Sequence, residues 1–319
     1  MNYNNRNTGA CKSETGDREE MKAIQKIAYL VIAYMDPEQL KRLTERLVKD
    51  SDVYIHINSS VDIRPFQERL AAVKGEGRAA FSRERFRIVW GGYSILKATF
   101  SMLEQAFAYK EYDRVVLLTG LDYPIKSNRE IQQFFQEHAD VEFVHGDTVT
   151  GEMYEHLYYY DCRDSRVLHK LFELSKNILK KCGIREKKDY VMHQGQRYRL
   201  YGITPKWALS GKGARYLLDF YHQNKRFNRY FQLMHAPDDF YVATVLLNSE
   251  FKERVETKKD IFKIIWLPED RGAKVLSEED EEELLQCQEL YAKKFQSDTS
   301  VGLQDRLEAV FQRKQEENL

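Results

Sequence analysis

The chain has 319 residues, of which 42% are hydrophobic and 31% charged, enough apolar material for one large domain or two small ones. Lys+Arg and Asp+Glu stand at 50 each, a formal net charge of +0, so there is no basic excess of the kind a nucleic-acid binder shows. No apolar run approaches the length needed to cross a bilayer, and the four cysteines have neither zinc-ligand nor disulfide-framework spacing, which points to free thiols in a reducing cytoplasm.

Residues 1–22 are polar, lack an apolar signal core and are expected to form a disordered tail, with Met21 as an alternative start. "KIAYLVIAY" (26–34) reads as a buried strand, followed by "DPEQLKRLTERLVKD", whose Leu40, Leu43 and Leu47 have helical spacing behind Pro37. "VYIHI" (53–57) and "FRIVW" (86–90) predict two further strands, the second feeding a helix through Gly91-Gly92. "RVVLLTG" (114–120), the helix "NREIQQFFQEH" and "VEFVH" (141–145) continue the alternation. Strands and helices in alternation predict an open, largely parallel α/β sheet, whose ligands bind beyond the carboxyl ends of the strands. That rule singles out His56 to Asn58, Trp90 to Gly92, and Gly120 to Asp122.

Beyond residue 150 come a tyrosine-rich stretch, a helix over "LFELSKNILKKCGI", and a strand leading into a helix over "KWALSGKGARYLLDFYHQ". The acidic run 277–295 starts with a Ser277 cap and ends in lysines, a polarity that suits a helix dipole. No repeat or linker divides residues 23–319, which are expected to form a single α/β domain with a helical C-terminal part.

Three segments in order, "IVWGGYSILKA" (88–98), "LLTGLDYPIKSNREI" (117–131) and "APDDFYVATVL" (236–246), resemble the core-2/I-branching β-1,6-N-acetylglucosaminyltransferases and their peptide O-xylosyltransferase relatives. The resemblance spans roughly residues 26–310 and implies a GT-A-like fold. Without an apolar anchor, the chain looks like a soluble bacterial member. It further implies an inverting transfer of GlcNAc or xylose from a UDP-sugar to a glycan hydroxyl, with no metal cofactor.

Such a transfer needs a base for the acceptor proton, stabilisation of the departing diphosphate, and a grip on the nucleotide. In the family's "PDE" motif the third residue is the base, and Asp239 stands there, one methylene shorter than the family's glutamate. Read alone, Asp238 and Asp239 equally suit the first turn of a helix. No D-x-D motif is well placed for a metal. The resemblance puts Lys294, in "ELYAKKF", on the phosphate-binding lysine, with Arg271 or Lys274 as a second cation; a pair of cations can replace a divalent ion's charge. In isolation, Lys293-Lys294 would merely end a helix.

For the donor, Asn58 occupies an acid position in a strand that here reads "YIHIN", bringing His56 with it. Trp90 and Gly91 would form a tight turn near the nucleotide, or simple turn chemistry beside a core tryptophan. Asp122 could meet sugar hydroxyls or cap the following turn. For the acceptor, Glu155, Tyr159 and Trp207 offer the carboxylate and aromatic faces that suit a sugar. A lipid-linked acceptor would bring the chain to a membrane surface. A nucleotide-sugar or carbohydrate-binding relative without turnover remains the alternative, because Asp239 and Asn58 both depart from the family pattern. Neither a P-loop nor a dinucleotide-binding glycine motif is present.

Overall fold

The computed structural model describes residues 25–148, 159–183, 189–268 and 272–316. The predicted tail at 1–22, Glu155 and Arg271 lie outside the described residues. In chain order the elements are β1 (Ile27–Ala33), α1 (Pro37–Leu47), β2 (Asp52–Ile57), α2 (Arg64–Leu70), β3 (Ala79–Phe81), α3 (Ser94–Tyr109), β4 (Arg114–Thr119), β5 (Asp122–Pro124), α4 (Asn128–Glu137) and β6 (Glu142–Thr148). There follow α5 (Arg166–Lys181), β7 (Tyr190–His193), β8 (Gln196–Arg199), β9 (Tyr201–Ser210), α6 (Gly211–Gln223), α7 (Lys225–Gln232) and α8 (Asp238–Leu247). The last are β10 (Val255–Glu256), β11 (Phe262–Ile264), α9 (Glu281–Gln286), β12 (Tyr291–Lys293) and α10 (Val301–Glu316).

The main sheet has seven strands in the order β10-β6-β9-β4-β1-β2-β3. All its pairings are parallel except those made by β9, which runs antiparallel between β4 and β6. The predicted open, mostly parallel sheet flanked by helices is therefore present. Alternating side chains feed two cores, as a period of two requires. Ala28 and Leu30 of β1 join Tyr54, Val115, Leu117 and residues of α3, α6 and α8. Tyr29 and Val31 join Val53, Ile55, Val116 and residues of α1, α4 and α10. Helix α1 starts where the sequence says, with Pro37 in its first turn and the Asp36 side chain accepting from the Gln39 N–H at 3.0 Å.

Two predicted elements differ. "FRIVW" (86–90) is not a strand; residues 79–81 take the edge as β3. The 86–90 backbone is instead satisfied by side chains of β2 and its end. The Phe86 N–H donates to His56 Nε2 at 2.9 Å, and Asn58 bonds both backbone groups of Ile88. The 277–295 run is likewise not one helix. A Ser277–Asp280 capping box opens a short turn, and α9 stops at Gln286. The apolar residues that follow enter β12, which pairs with β5 and β11 and buries Tyr291 against Tyr29 through a 2.9 Å hydroxyl contact. Burial and strand pairing override the helical charge pattern, so Lys293 ends a strand and the helix-dipole reading of the two lysines fails.

Candidate functional site

The carboxyl edge of the sheet collects the segments that the sequence singled out. Strand β9 is antiparallel to β4 and pairs Gly202 with Asp147 at the far end of β6, so its start lies at that edge. The turn Trp90-Gly91-Gly92 enters α3. Gly91 has φ 72°, a backbone region that costs little only for glycine, and a β-carbon there would lie 2.5 Å from the His235 ring. Its carbonyl accepts from the Ala236 N–H at 2.9 Å, and Trp90 sets its ring edge-on to His235 with centroids 5.2 Å apart. Trp90 is 79% exposed, so it is no core tryptophan. The turn is pinned on its other side by Asp164, which accepts from Ser94 Oγ at 2.7 Å.

Asp238 and Asp239 open α8, directly after this contact. Helix α8 is fixed to β9 by paired bonds between Thr244 Oγ1 and the Tyr201 backbone at 3.1 and 3.2 Å. Gly202 sits so close beneath Asp239 that a β-carbon would collide with the Asp239 carbonyl and meet Phe240 Cδ1 at 2.6 Å. Burial pushes the carboxyls of both aspartates up, and for Asp239 the neighbouring Asp238 adds to the rise. A helix N-terminus favours negative charge, yet desolvation wins here. The result is a half-buried acid pair that holds protons more tightly than free carboxylates, a property suited to taking up a proton.

Behind the pair lies a group that the sequence reading missed. His235 Nδ1 is 3.5 Å from Asp161 Oδ2, and Asp161 also takes a 2.8 Å ion pair from Arg163 and a 2.7 Å contact from His169 Nδ1. Burial alone would raise the Asp161 carboxyl, but bonds from His235, His169 and Arg163 outweigh it and hold it well below the usual carboxylate range. His235 is the first residue of the motif "HAPDD", so the signal lay three positions before the first acid. Asp161, His169 and Glu173 are the one group among the described residues close enough to share a metal ion. The Arg163 guanidinium on Asp161 already supplies the positive charge there.

The cations lie elsewhere on the edge. Residue 293 pairs with Asp122 across β12 and β5, and Lys294 follows. Lys294 is half-buried, with no ion pair among the described residues. Its N–H donates to the Lys274 carbonyl at 3.3 Å. Lys274 itself is committed, its ammonium 2.6 Å from Asp280 Oδ1 in the Ser277 turn.

Several predicted contacts take structural roles. Asp122 is fully buried, paired with the buried Lys206, and accepts from the Thr119 N–H and hydroxyl at 2.6 and 2.9 Å. It fixes the turn and has no face for a sugar hydroxyl. Lys206 was overlooked beside Trp207; period two sends the two to opposite faces of β9. Trp207 is 2% exposed within the core shared by α3 and α6, so the expected acceptor platform is instead a packing residue. Tyr159 is buried too, with the Lys180 ammonium 5.9 Å from its ring centre. The Asn58 amide is occupied by Ile88 and Ser60, and His56 is buried with its pKa lowered to about 4 by burial and by Arg85. Both shape the segment before Trp90, and both are buried away from a sugar donor. An open cleft of about 570 Å³ adjoins the β1–α1 turn, lined by Asp36, Glu38, Glu68, Arg69 and Ser297 among others. It holds none of the predicted site residues, and three acids suit a diphosphate poorly.

A model of the Core-2/I-Branching enzyme family matches residues 27–199, more than half of the chain. A xylosyltransferase of Ciona intestinalis is 25% identical over 122 residues, covering 37% of this chain and 14% of that protein, so the chain spans a small part of the relative's length. Among solved structures, S. aureus TarS 1–349 aligns with 73% of this chain and 58% of its own at 15% identity and a TM-score of 0.37. The same protein in complex with UDP aligns with 90% and 70% at 15% identity and a TM-score of 0.35. At such scores the structural likeness carries no argument about the site. The family match rests on the sequence, and by it the chain belongs to the Core-2/I-Branching enzyme family.

Proposed function

We infer that this chain is a GT-A-like glycosyltransferase that moves GlcNAc or xylose from a UDP-sugar to a glycan hydroxyl, with inversion and with Asp239 as general base. The observation that carries the reading is the placement of Asp239. Its carboxyl is raised by burial and by Asp238, and it opens a helix fixed to the sheet's carboxyl edge beside the Trp90–Gly92 turn. A base whose pKa is drawn towards the working pH combines a useful ionised fraction with a strong pull on the acceptor proton.

Lys294 would stabilise the departing diphosphate, with Lys274 contributing charge once released from Asp280; no divalent ion is invoked. Trp90, exposed and rigidly seated, would give the nucleotide or sugar a flat apolar face. A cytoplasmic chain of this kind would extend a lipid-linked glycan under construction. Titration with UDP in the presence of EDTA tests the donor side: binding that persists with EDTA and weakens about tenfold in Lys294→Ala supports it. Strict dependence on a divalent cation would overturn it.

A binding relative without turnover is favoured by one observation: Asn58 and Asp122 spend their polar atoms on the protein itself. Slow hydrolysis of UDP-sugar without acceptor separates the two, since only a transferase leaks to water.

A further inference from the structure

Helix α5 stands apart from every other long helix in having no buried residue among those described, although its sequence is strongly amphipathic. Val167, Leu171, Leu174 and Ile178 recur at spacings of three and four, which places them on one face, and each leaves more than half of its surface to solvent. The opposite face attaches the helix to the protein. His169 contacts Asp161 at 2.7 Å, the Phe172 ring lies 6.2 Å from that of Tyr160, and the Lys180 ammonium sits over Tyr159. The helix is therefore held through His169, Phe172 and Lys180 while the Val167–Ile178 stripe faces water, the reverse of a helix whose main apolar stripe completes a core.

The charge of the helix supplies the second observation. Arg166, Lys170 and Lys181 flank the apolar stripe and are exposed, whereas its lone acid, Glu173, lies on the attached side near Asp161 and His169. Solvent thus meets an apolar stripe bordered along one side by three cations, while the helix's one carboxylate is paired with Lys176 at 3.5 Å. That combination is complementary to an anionic lipid surface, where acyl chains receive the stripe and head groups the cations. At 16 residues the helix is about 24 Å long, and its polar side is committed to the protein, so it would lie in the plane of the membrane rather than cross it. No helix among the described residues is long and apolar enough to span a bilayer.

We propose that the Val167–Leu171–Leu174–Ile178 face of α5, bordered by Arg166, Lys170 and Lys181, docks this chain on an anionic membrane surface. The inference deepens the proposed use of a lipid-linked acceptor, since residue 169 of the same helix touches Asp161, which in turn contacts His235 beside Trp90. Docking through α5 would set the carboxyl-edge site close to the head groups. Membrane binding itself does not require any catalytic residue.

The test is flotation of the full chain with vesicles of phosphatidylcholine alone and of phosphatidylcholine mixed with phosphatidylglycerol. The chain should float with the mixed vesicles, less so as salt rises, and remain behind with phosphatidylcholine alone. Leu171→Asp and Leu174→Asp should each reduce partition by about tenfold or more, and Lys170→Glu by about fivefold or more. Thermal melting should change little, because Leu171 and Leu174 each leave more than half of their surface to solvent and Lys170 is exposed. The proposal is overturned if the wild-type chain ignores the mixed vesicles or if Leu174→Asp floats as well as wild type. It is equally overturned if the chain sediments as a dimer that Leu174→Asp splits, because a second copy would then cover the stripe. Donor hydrolysis measured on the same samples distinguishes failure of docking from failure of the glycosyltransferase reading, since either result can be obtained without the other.

Discussion

Gly202 lies directly beneath Asp239: a single added methyl group would strike the Asp239 carbonyl oxygen and the Phe240 ring. The backbone of β9 therefore sets where the first turn of α8 stands, and with it the height of the proposed base. Gly202→Ala should push that turn outward. We expect a loss of stability of about 1–3 kcal/mol from overpacking and a fall in kcat of about 100-fold from displacement of the base, with UDP affinity almost unchanged. Urea unfolding and calorimetry with UDP, run beside transfer assays, would measure all three; unaltered kcat would mean that the position of Asp239 does not matter.

The raised carboxyls of Asp238 and Asp239 make both activity and stability depend on pH. A base works only when ionised, so the acid limb of kcat/KM should lie above the ordinary carboxylate range of about 4. Burial is the larger cause for Asp239 and the Asp238 charge the next, so Asp238→Asn should move the limb towards lower pH. Stability runs the other way. Above the unfolded pKa and below the raised folded pKa, the native state holds protons that the unfolded state has released, so stability falls as pH rises through this window. Asp239→Asn should flatten that fall, and unfolding midpoints across the pH range would show it.

The buried Lys206–Asp122 pair ties β9 to the turn that bears β5. Burial lowers the Lys206 pKa while the Asp122 carboxylate opposes the shift, so removing either partner strands a charge. Lys206→Met should cost about 3–5 kcal/mol, and the double change with Asp122→Asn should recover a good part of it. Denaturant titration of the two variants is the check. A double variant no better than Lys206→Met would show that Asp122 matters through its Thr119 bonds instead.

Much of the framework was legible because burial imposes periods that sequence carries openly. β1, β2, β4 and β6, with α1, α3 and α4, follow apolar runs and caps where composition predicts them. The antiparallel insertion of β9 was not legible, since strand order depends on contacts between segments far apart in the chain. The segment 86–90 misled because its backbone is satisfied by the His56 and Asn58 side chains, which local apolar content does not report. At the site, the Trp90–Gly92 turn and the Asp238–Asp239 acids do meet, through Gly91 and Ala236. Trp207 and Asp122 could not be separated from true site residues in advance. An aromatic or an acid beside a cleft reads the same as one packed beneath it until strand facing is known.

The central claim is that Asp239 takes the acceptor proton. Transfer turnover by Asp239→Asn, measured with a saturating UDP-sugar beside UDP affinity of the same variant, tests it most directly. An isosteric amide cannot accept that proton, so turnover should fall by about 1,000-fold or more while UDP affinity stays within about twofold of wild type. Turnover close to wild type would contradict the account.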